Sequence, residues 1–219
     1  MARTIAINGT GTASVKPDRI SISLTLFALD TDYAKAMQKA SQQLESLKKS
    51  MGSVGFDSDE IKTTGFNVRT EYETVFNEIN QRKNVFKGYN CIHNLKIDFD
   101  MDTERLAAVL SAISCASAEP ELHIAFTVEN SEEIRENLLR AAAENSRKNA
   151  EILCDAAGVK LGSLISVRYD IDNMSFVSPT SYRMDRNCML SASADGCSID
   201  INPENIELSE NVEFEWEIV

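Results

Sequence analysis

The stretch RISISLTLFA, residues Arg19–Ala28, indicates the fold class because its apolar and polar side chains alternate with a period of two. Such alternation is typical of a β-strand that buries one face and exposes the other. A polar second face favours antiparallel pairing, since parallel strands are usually buried on both sides. The predicted buried face consists of Ile20, Ile22, Leu24, Leu26 and Ala28.

Outward from this stretch, five further segments alternate in the same way, and a short opening strand is expected around Ile5 and Ile7. The five segments are Phe66–Phe76, Tyr89–Phe99, Leu122–Val128, Ile165–Ile171 and Val212–Ile218. Each is predicted to be a strand with one buried face.

Three helices are predicted between these strands, at about Asp32–Met51, Thr103–Ser114 and Asn130–Gly158. Thr31 or Asp32 can cap the first helix, and Asn130 with Glu133 can form a capping pair at the start of the third. Small side chains on one face of the third helix favour close packing on a sheet or on another helix.

The order of these elements predicts an α+β fold, with largely antiparallel sheet and three helices. Two strand–helix–strand–strand units are expected, one beginning at Arg19 and the other at Leu122. The fourth to ninth elements also permit a ferredoxin-like lobe. We expect a single domain over residues 1–219, and the sequence leaves open one continuous sheet or two intertwined α+β lobes.

Residues 172–203 interrupt the pattern, because they show no sustained period and are rich in serine. A long loop inside a compact domain is usually functional or disordered. The sequence therefore predicts a mobile loop here, or an arm that docks on another subunit.

The composition excludes several classes of function. The chain of 219 residues carries 22 Lys and Arg against 34 Asp and Glu, a net charge of −12. This acidic balance argues against nucleic acid as a partner, because affinity for phosphates depends on clustered basic residues. The sequence shows no secretory signal and no apolar run that could insert into a membrane. Together with five widely spaced cysteines, these features predict a cytoplasmic protein.

No catalytic, cofactor-binding or metal-binding constellation emerges from the motifs. Gly9-Thr10-Gly11 has no helix after it, so a bend or bulge is expected there instead of a phosphate loop. Cys91 and His93 share a strand face and could form a metal site with Cys115, but their spacing matches no zinc motif, and core packing is expected. Glu71 and Glu73 flank Tyr72 on a face expected to be solvated.

Acidic residues concentrate at the end of the chain, where residues 200–219 contain seven acids and no base. Two explanations are open: charge that protects an edge strand from unwanted pairing, or a surface complementary to another subunit. The first predicted helix is mildly basic in contrast.

Short segments in a particular order resemble the SIMPL domain family. They are Ile7-Asn8-Gly9-Thr10-Gly11, Val15-Lys16-Pro17-Asp18, Asp59–Thr63, Thr70-Glu71-Tyr72, Lys87-Gly88-Tyr89, Ala141–Gly162 and Pro203–Ile206. The family includes a periplasmic immunogenic protein and bacterial oxidative-stress proteins. The resemblance implies an α+β fold, homo-oligomers, no known catalytic residues and no cofactor, and the chain is most similar to cytosolic bacterial members.

We therefore expect a non-enzymatic, self-associating protein of unknown physiological role, with a stress-related role implied by the resemblance. One alternative is a protein–protein adaptor that binds a partner through residues 172–203. Another is an unrecognised hydrolase, which would place His93 or His123 beside a cysteine or a carboxylate in a closed pocket.

Overall fold

The computed structural model describes residues 3–76, 82–170, 174–184 and 201–219. Its elements in chain order are β1 (Arg3–Val15), β2 (Arg19–Asp30), α1 (Tyr33–Gly52), β3 (Lys62–Phe76), β4 (Arg82–Asp100), α2 (Thr103–Cys115), β5 (Glu121–Thr127), α3 (Ser131–Ala157), β6 (Leu161–Arg168), β7 (Val177–Met184) and β8 (Ile206–Ile218). One sheet has the strand order β1-β8-β6 and the other has the order β3-β4-β2-β5-β7. The predicted α+β class with three helices is confirmed.

The chain divides into two compact units, and each is built from separate segments of sequence. The first contains residues 1–18, 127–179 and 203–219, and the second contains residues 19–126 and 180–202. The first unit holds the three-stranded sheet with α3. The second unit holds α1, α2 and nearly all of the five-stranded sheet.

The second unit has a ferredoxin-like arrangement. Its elements β2, α1, β3, β4, α2 and β5 follow a βαββαβ order, and β4 lies between β2 and β3 in the sheet. The predicted face of Arg19–Ala28 is fully buried in its core, packed with side chains from α1, α2 and β4. The arrangement therefore spans the second to seventh elements. The prediction from the fourth to the ninth was wrong, because α3 and β6 belong to the first unit.

The first unit is organised around close contact between α3 and β1. A Cβ atom placed on Gly9 would lie 2.0 Å from the Ala142 carbonyl oxygen, and one on Gly11 would lie 2.0 Å from that of Leu138. These two positions thus admit only glycine. The pairing of β1 with β8 is continuous from Arg3 to Val15, so the bend or bulge expected at this motif is absent.

Helix α3 begins and ends as the sequence predicts. The Asn130 side chain accepts a hydrogen bond from the Glu133 N–H at 3.2 Å, and its Nδ2 donates to the Glu133 carboxylate at 2.6 Å. Gly158 ends the helix with φ of 72°, a left-handed conformation. Across the described ranges, no helix combines the length and hydropathy that a membrane span requires.

Two strands were predicted correctly as strands but not in their burial. The face of β3 that was expected to be buried is largely exposed, with Phe66 at 46% and Tyr72 at 58%. On β6, Ile165 and Val167 are each 49% exposed. Alternation predicts a strand, but burial depends on what covers the face. The predicted unit beginning at Leu122 is also divided, because β5 lies in one sheet, whereas β6 and β8 lie in the other.

Two further expectations are corrected. Strand β8 lies between β1 and β6, so its acidic side chains do not protect a sheet edge. Some of them have partners, such as Glu213 with Arg168 at 3.5 Å.

Within the predicted loop 172–203, residues Val177–Met184 form β7. Residues 171–173 and 185–200 lie outside the described residues, and the mobility of this segment stays a prediction.

Candidate functional site

A polar cavity of about 680 Å³ lies within the second unit, at the end of β2. Its volume is within the range of sites that bind small molecules. Side chains from α1 and from four strands of the large sheet, β2, β3, β4 and β5, line it, and Phe27 and Leu29 form its apolar floor. The polar lining consists of Lys39, Gln42, Gln43, Ser46, Arg69, Glu71, Lys87, Asn90, Ser117 and Glu121.

One wall depends on a bulge in the β3–β4 ladder. Glu71 pairs with Gly88 and Tyr72 pairs with Phe86, so Lys87 is an extra residue on β4. A β-bulge redirects the side chain of the extra residue, and the Lys87 ammonium lies 3.6 Å from the Glu71 carboxylate. Gly88 is required beside it, because a Cβ atom there would lie 2.5 Å from the Asp30 carbonyl oxygen.

Glu71 links this bulge to a buried amide. The Asn90 Nδ2 donates a hydrogen bond to Glu71 at 3.0 Å, and Asn90 is only 7% exposed. The Asn90 Oδ1 and the Gln43 Oε1 are buried and accept no hydrogen bond among the described residues. A buried acceptor without a donor costs about 1–3 kcal/mol. This wall therefore keeps polar groups at a cost in stability, as binding sites often do.

Helix α1 forms the facing wall and covers the backbone at the end of β2. The Gln43 Nε2 donates to the Phe27 carbonyl oxygen at 3.1 Å, and the Lys39 Nζ donates to the Leu29 carbonyl oxygen at 3.3 Å. Lys39 also lies 2.6 Å from the Asp30 carboxylate. The hydrogen bond from Lys39, with a second from the Asp32 N–H, holds the pKa of Asp30 below its ordinary value.

Two charges in the cavity lining stay without an opposite partner among the described residues. Lys39 is paired with Asp30, and Lys87 is paired with Glu71. The guanidinium of Arg69 on β3 and the carboxylate of Glu121 on β5 make no such pair within the described ranges. The cavity therefore offers one cation and one anion at its two sides. Its chemistry is ion pairing and hydrogen bonding over an apolar floor.

The histidines and cysteines considered from the sequence lie outside this cavity. The His93 Nε2 lies 2.9 Å from the Thr63 Oγ1, and the His93 ring packs edge-on against Phe66 with centroids 5.1 Å apart. Burial, and secondarily the charge of Lys48, lowers the pKa of His93.

Cys91 is also placed by packing. Its Sγ lies 3.7 Å from the Met37 Sδ, and burial raises the pKa of the Cys91 thiol. Cys115 is exposed. No cluster of three or more candidate metal ligands occurs within the described ranges.

Sequence patterns identified the strands that carry the cavity but not the cavity itself. Glu71 was expected to face solvent, and Arg69, Asn90 and Glu121 had no recognisable motif. The available signal was the Lys87-Gly88 pair, because a glycine beside a charged residue in a strand can mark a bulge. The register that brings Lys87 to Glu71 depends on long-range pairing, so spacing along the chain does not show it.

Comparison with known proteins gives three relatives of low identity. The chain is 23% identical over 169 residues to "Uncharacterized protein YggE" of Edwardsiella ictaluri, covering 77% of this chain and 69% of the relative. It is 19% identical over 211 residues to the "26 kDa periplasmic immunogenic protein" of Brucella melitensis, and equally to that of Brucella abortus, covering 96% of this chain and 84% of each relative.

These names correct one expectation from the sequence. The two Brucella relatives are named periplasmic proteins, which contradicts the predicted cytoplasmic location. The cysteine count was a weak basis for that prediction, because free thiols are compatible with several compartments. The predicted family resemblance is confirmed by a family model that matches residues 5–216, across both units. The chain therefore belongs to the SIMPL family of proteins of unknown function (DUF541).

Proposed function

We propose that this protein functions by self-association through the free end of its β3–β4 ladder. Strand β2 pairs with β4 only as far as Asp30 opposite Tyr89, so the ladder continues beyond it with two strands alone. We call this extension, residues 71–76 with 82–88, the aromatic arm. A two-stranded ribbon is marginally stable by itself in water and gains stability when it packs on another surface.

The observation that carries the proposal is the exposure of large apolar side chains on the aromatic arm. Five of them are between 39% and 59% exposed, and they are Tyr72, Val75, Phe76, Val85 and Phe86. Edge-on ring contacts continue from Tyr72 to Phe86 at 5.9 Å and from Phe86 to Tyr89 at 5.4 Å. By the register of the ladder, Tyr72, Phe76 and Phe86 lie on one face of the ribbon, and Val75 and Val85 lie on the other. Exposed apolar side chains of this kind are characteristic of a protein–protein interface.

The charges of the arm favour a second copy of this chain as the occupant. Apart from the Glu71–Lys87 pair, the β3 side carries Glu73, while the β4 side carries Arg82 and Lys83. In a two-fold symmetric contact whose axis runs parallel to the strands, the acidic side of one arm faces the basic side of the other. Self-complementary charge together with exposed aromatic side chains thus supports a homo-oligomer.

Sedimentation velocity at micromolar concentration tests the proposal. We expect the unmodified protein to associate, and we expect the double variant Phe76→Ser, Phe86→Ser to shift towards monomer. The matched control is Ile152→Ser on α3, which removes a 55% exposed side chain outside the arm and should leave association unchanged. A strictly monomeric parent protein would reject the proposal, as would equal loss of association in the control.

Charge reversal provides a second readout of the two-fold contact. Glu73→Lys alone and Lys83→Glu alone should each weaken association, because each places like charges opposite one another. The double variant restores opposite charges and should recover association. If the double variant is weaker than both single variants, the partner is not a second arm. The adaptor and hydrolase alternatives stay predictions from the sequence.

A further inference from the structure

We infer that the polar cavity of the second unit binds a short peptide with a free amino terminus and a free carboxyl terminus. The argument is independent of self-association: Glu71 and Lys87 belong to both the aromatic arm and the cavity lining, but the inference depends on Arg69 and Glu121, which lie outside the arm. It begins with the two charges that the cavity leaves without an opposite partner in the described ranges, Arg69 and Glu121.

Arg69 and Glu121 suit the two ends of a zwitterion. A guanidinium binds a carboxylate through paired N–H donors, and a carboxylate binds an ammonium group. The other charges of the lining are compensated, Lys39 by Asp30 and Lys87 by Glu71. A ligand with only a negative or only a positive charge would satisfy one side of the cavity and leave the other side unpaired.

The spacing of the strands sets the length of the ligand. Arg69 lies on β3 and Glu121 lies on β5, and the sheet order β3-β4-β2-β5 puts two strands between them. Neighbouring strands are ~4.8 Å apart, so these two strands are separated by roughly 14 Å, and long side chains shorten the gap. An extended peptide advances by ~3.4 Å per residue. The unshortened gap thus corresponds to about four residues, and shortening by the side chains brings it within reach of a tripeptide.

The floor and walls of the cavity also match a peptide. Phe27 and Leu29 provide an apolar surface for small side chains between the charged ends. The hydroxyl of Ser46 and the amide of Gln42 provide donors and acceptors for peptide groups. The volume of about 680 Å³ is sufficient for a peptide of this length.

The experiment uses the full-length protein, isothermal titration calorimetry and three probes: trialanine, N-acetyl-trialanine and trialanine amide. We expect trialanine to bind with saturation and each capped probe to bind roughly tenfold more weakly, because each loses one charge-assisted contact. Absence of saturable binding of trialanine would overturn the inference. Equal binding of the three probes would also overturn it, since recognition would then not depend on the free ends.

Two variants assign the ends. Arg69→Gln should weaken trialanine binding and abolish the discrimination against trialanine amide, while the discrimination against N-acetyl-trialanine persists. Glu121→Gln should also weaken trialanine binding, but it should abolish the discrimination against N-acetyl-trialanine and leave the discrimination against trialanine amide. Both side chains are exposed, so the fold should persist, which circular dichroism verifies. Arg147→Gln on the exposed side of α3 is the matched control and should bind all three probes like the parent. Loss of both discriminations in either variant would contradict the assigned orientation.

Discussion

At the scale of single residues, His93 shows how burial determines protonation. The ring is 8% exposed and is held between Thr63 and Phe66. Burial disfavours the imidazolium ion, and the ammonium of Lys48 disfavours it further, so the pKa of His93 is lowered from 6.5. The folded protein thus keeps His93 neutral at pH values where the unfolded chain is already protonated.

This difference predicts how stability depends on pH. The contribution of His93 to the free energy of unfolding is fully present above pH 6.5 and is lost as the pH falls from 6.5 towards the lowered pKa of the folded state. Urea unfolding at a series of pH values should show a decline over this window in the parent protein and a smaller decline in His93→Gln. Identical pH profiles of the two proteins would show that His93 titrates alike in both states.

Local chemistry predicted some individual residues well. Asn130 and Gly158 were identified as the ends of α3 because a helix end depends on neighbours within four residues. Asn90 and Glu121 were missed because their roles arise from contacts with distant segments. The hydrogen bond from Asn90 to Glu71, for example, joins residues 19 positions apart.

At the scale of elements, the packing of α3 on β1 explains the Gly9-Thr10-Gly11 sequence. The sequence indicated that these glycines are not a phosphate loop, but it gave no sign of the helix that contacts them. Leu138 and Ala142 lie more than 120 positions further along the chain. Period-two patterns likewise located β3 and β6 but not their exposure, because an apolar face is exposed when no other element covers it.

Alanine substitution tests this contact. In Gly11→Ala, the new Cβ would lie 2.0 Å from the Leu138 carbonyl oxygen, so helix and strand must move apart. Overpacking of this kind should lower the free energy of unfolding by about 3 kcal/mol. The control is Gly52→Ala at the end of α1, where a Cβ meets no atom within 4 Å and should stabilise the helix by about 0.5 kcal/mol. Chemical denaturation measures both, and a neutral Gly11→Ala would show that α3 does not approach β1 this closely.

At the scale of the whole molecule, the two units have cores of different size. The second unit contains one large cluster of buried side chains that includes Ile22, Leu47 and Phe126. The first unit contains two smaller clusters, around Leu138 and Phe214. Each unit is assembled from separate segments of the chain. In the first unit, the last strand, β8, lies between β1 and β6 and is therefore the central strand of the sheet. The order of elements predicted the α+β class, but the division at residues 18 and 126 depends on which strands pair.

The difference in core size predicts a hierarchy of local stability. Segments with fewer buried apolar contacts open more easily and exchange amide hydrogens sooner. Hydrogen exchange followed by mass spectrometry should therefore show that peptides from β1 and β8 exchange before peptides from β2 and β4. The variant Leu47→Ala, which empties part of the larger core, should lose about 2–5 kcal/mol and accelerate exchange in β2 and β4. Uniform exchange in the parent protein, with both units accelerated together in the variant, would instead show one cooperative unit of unfolding.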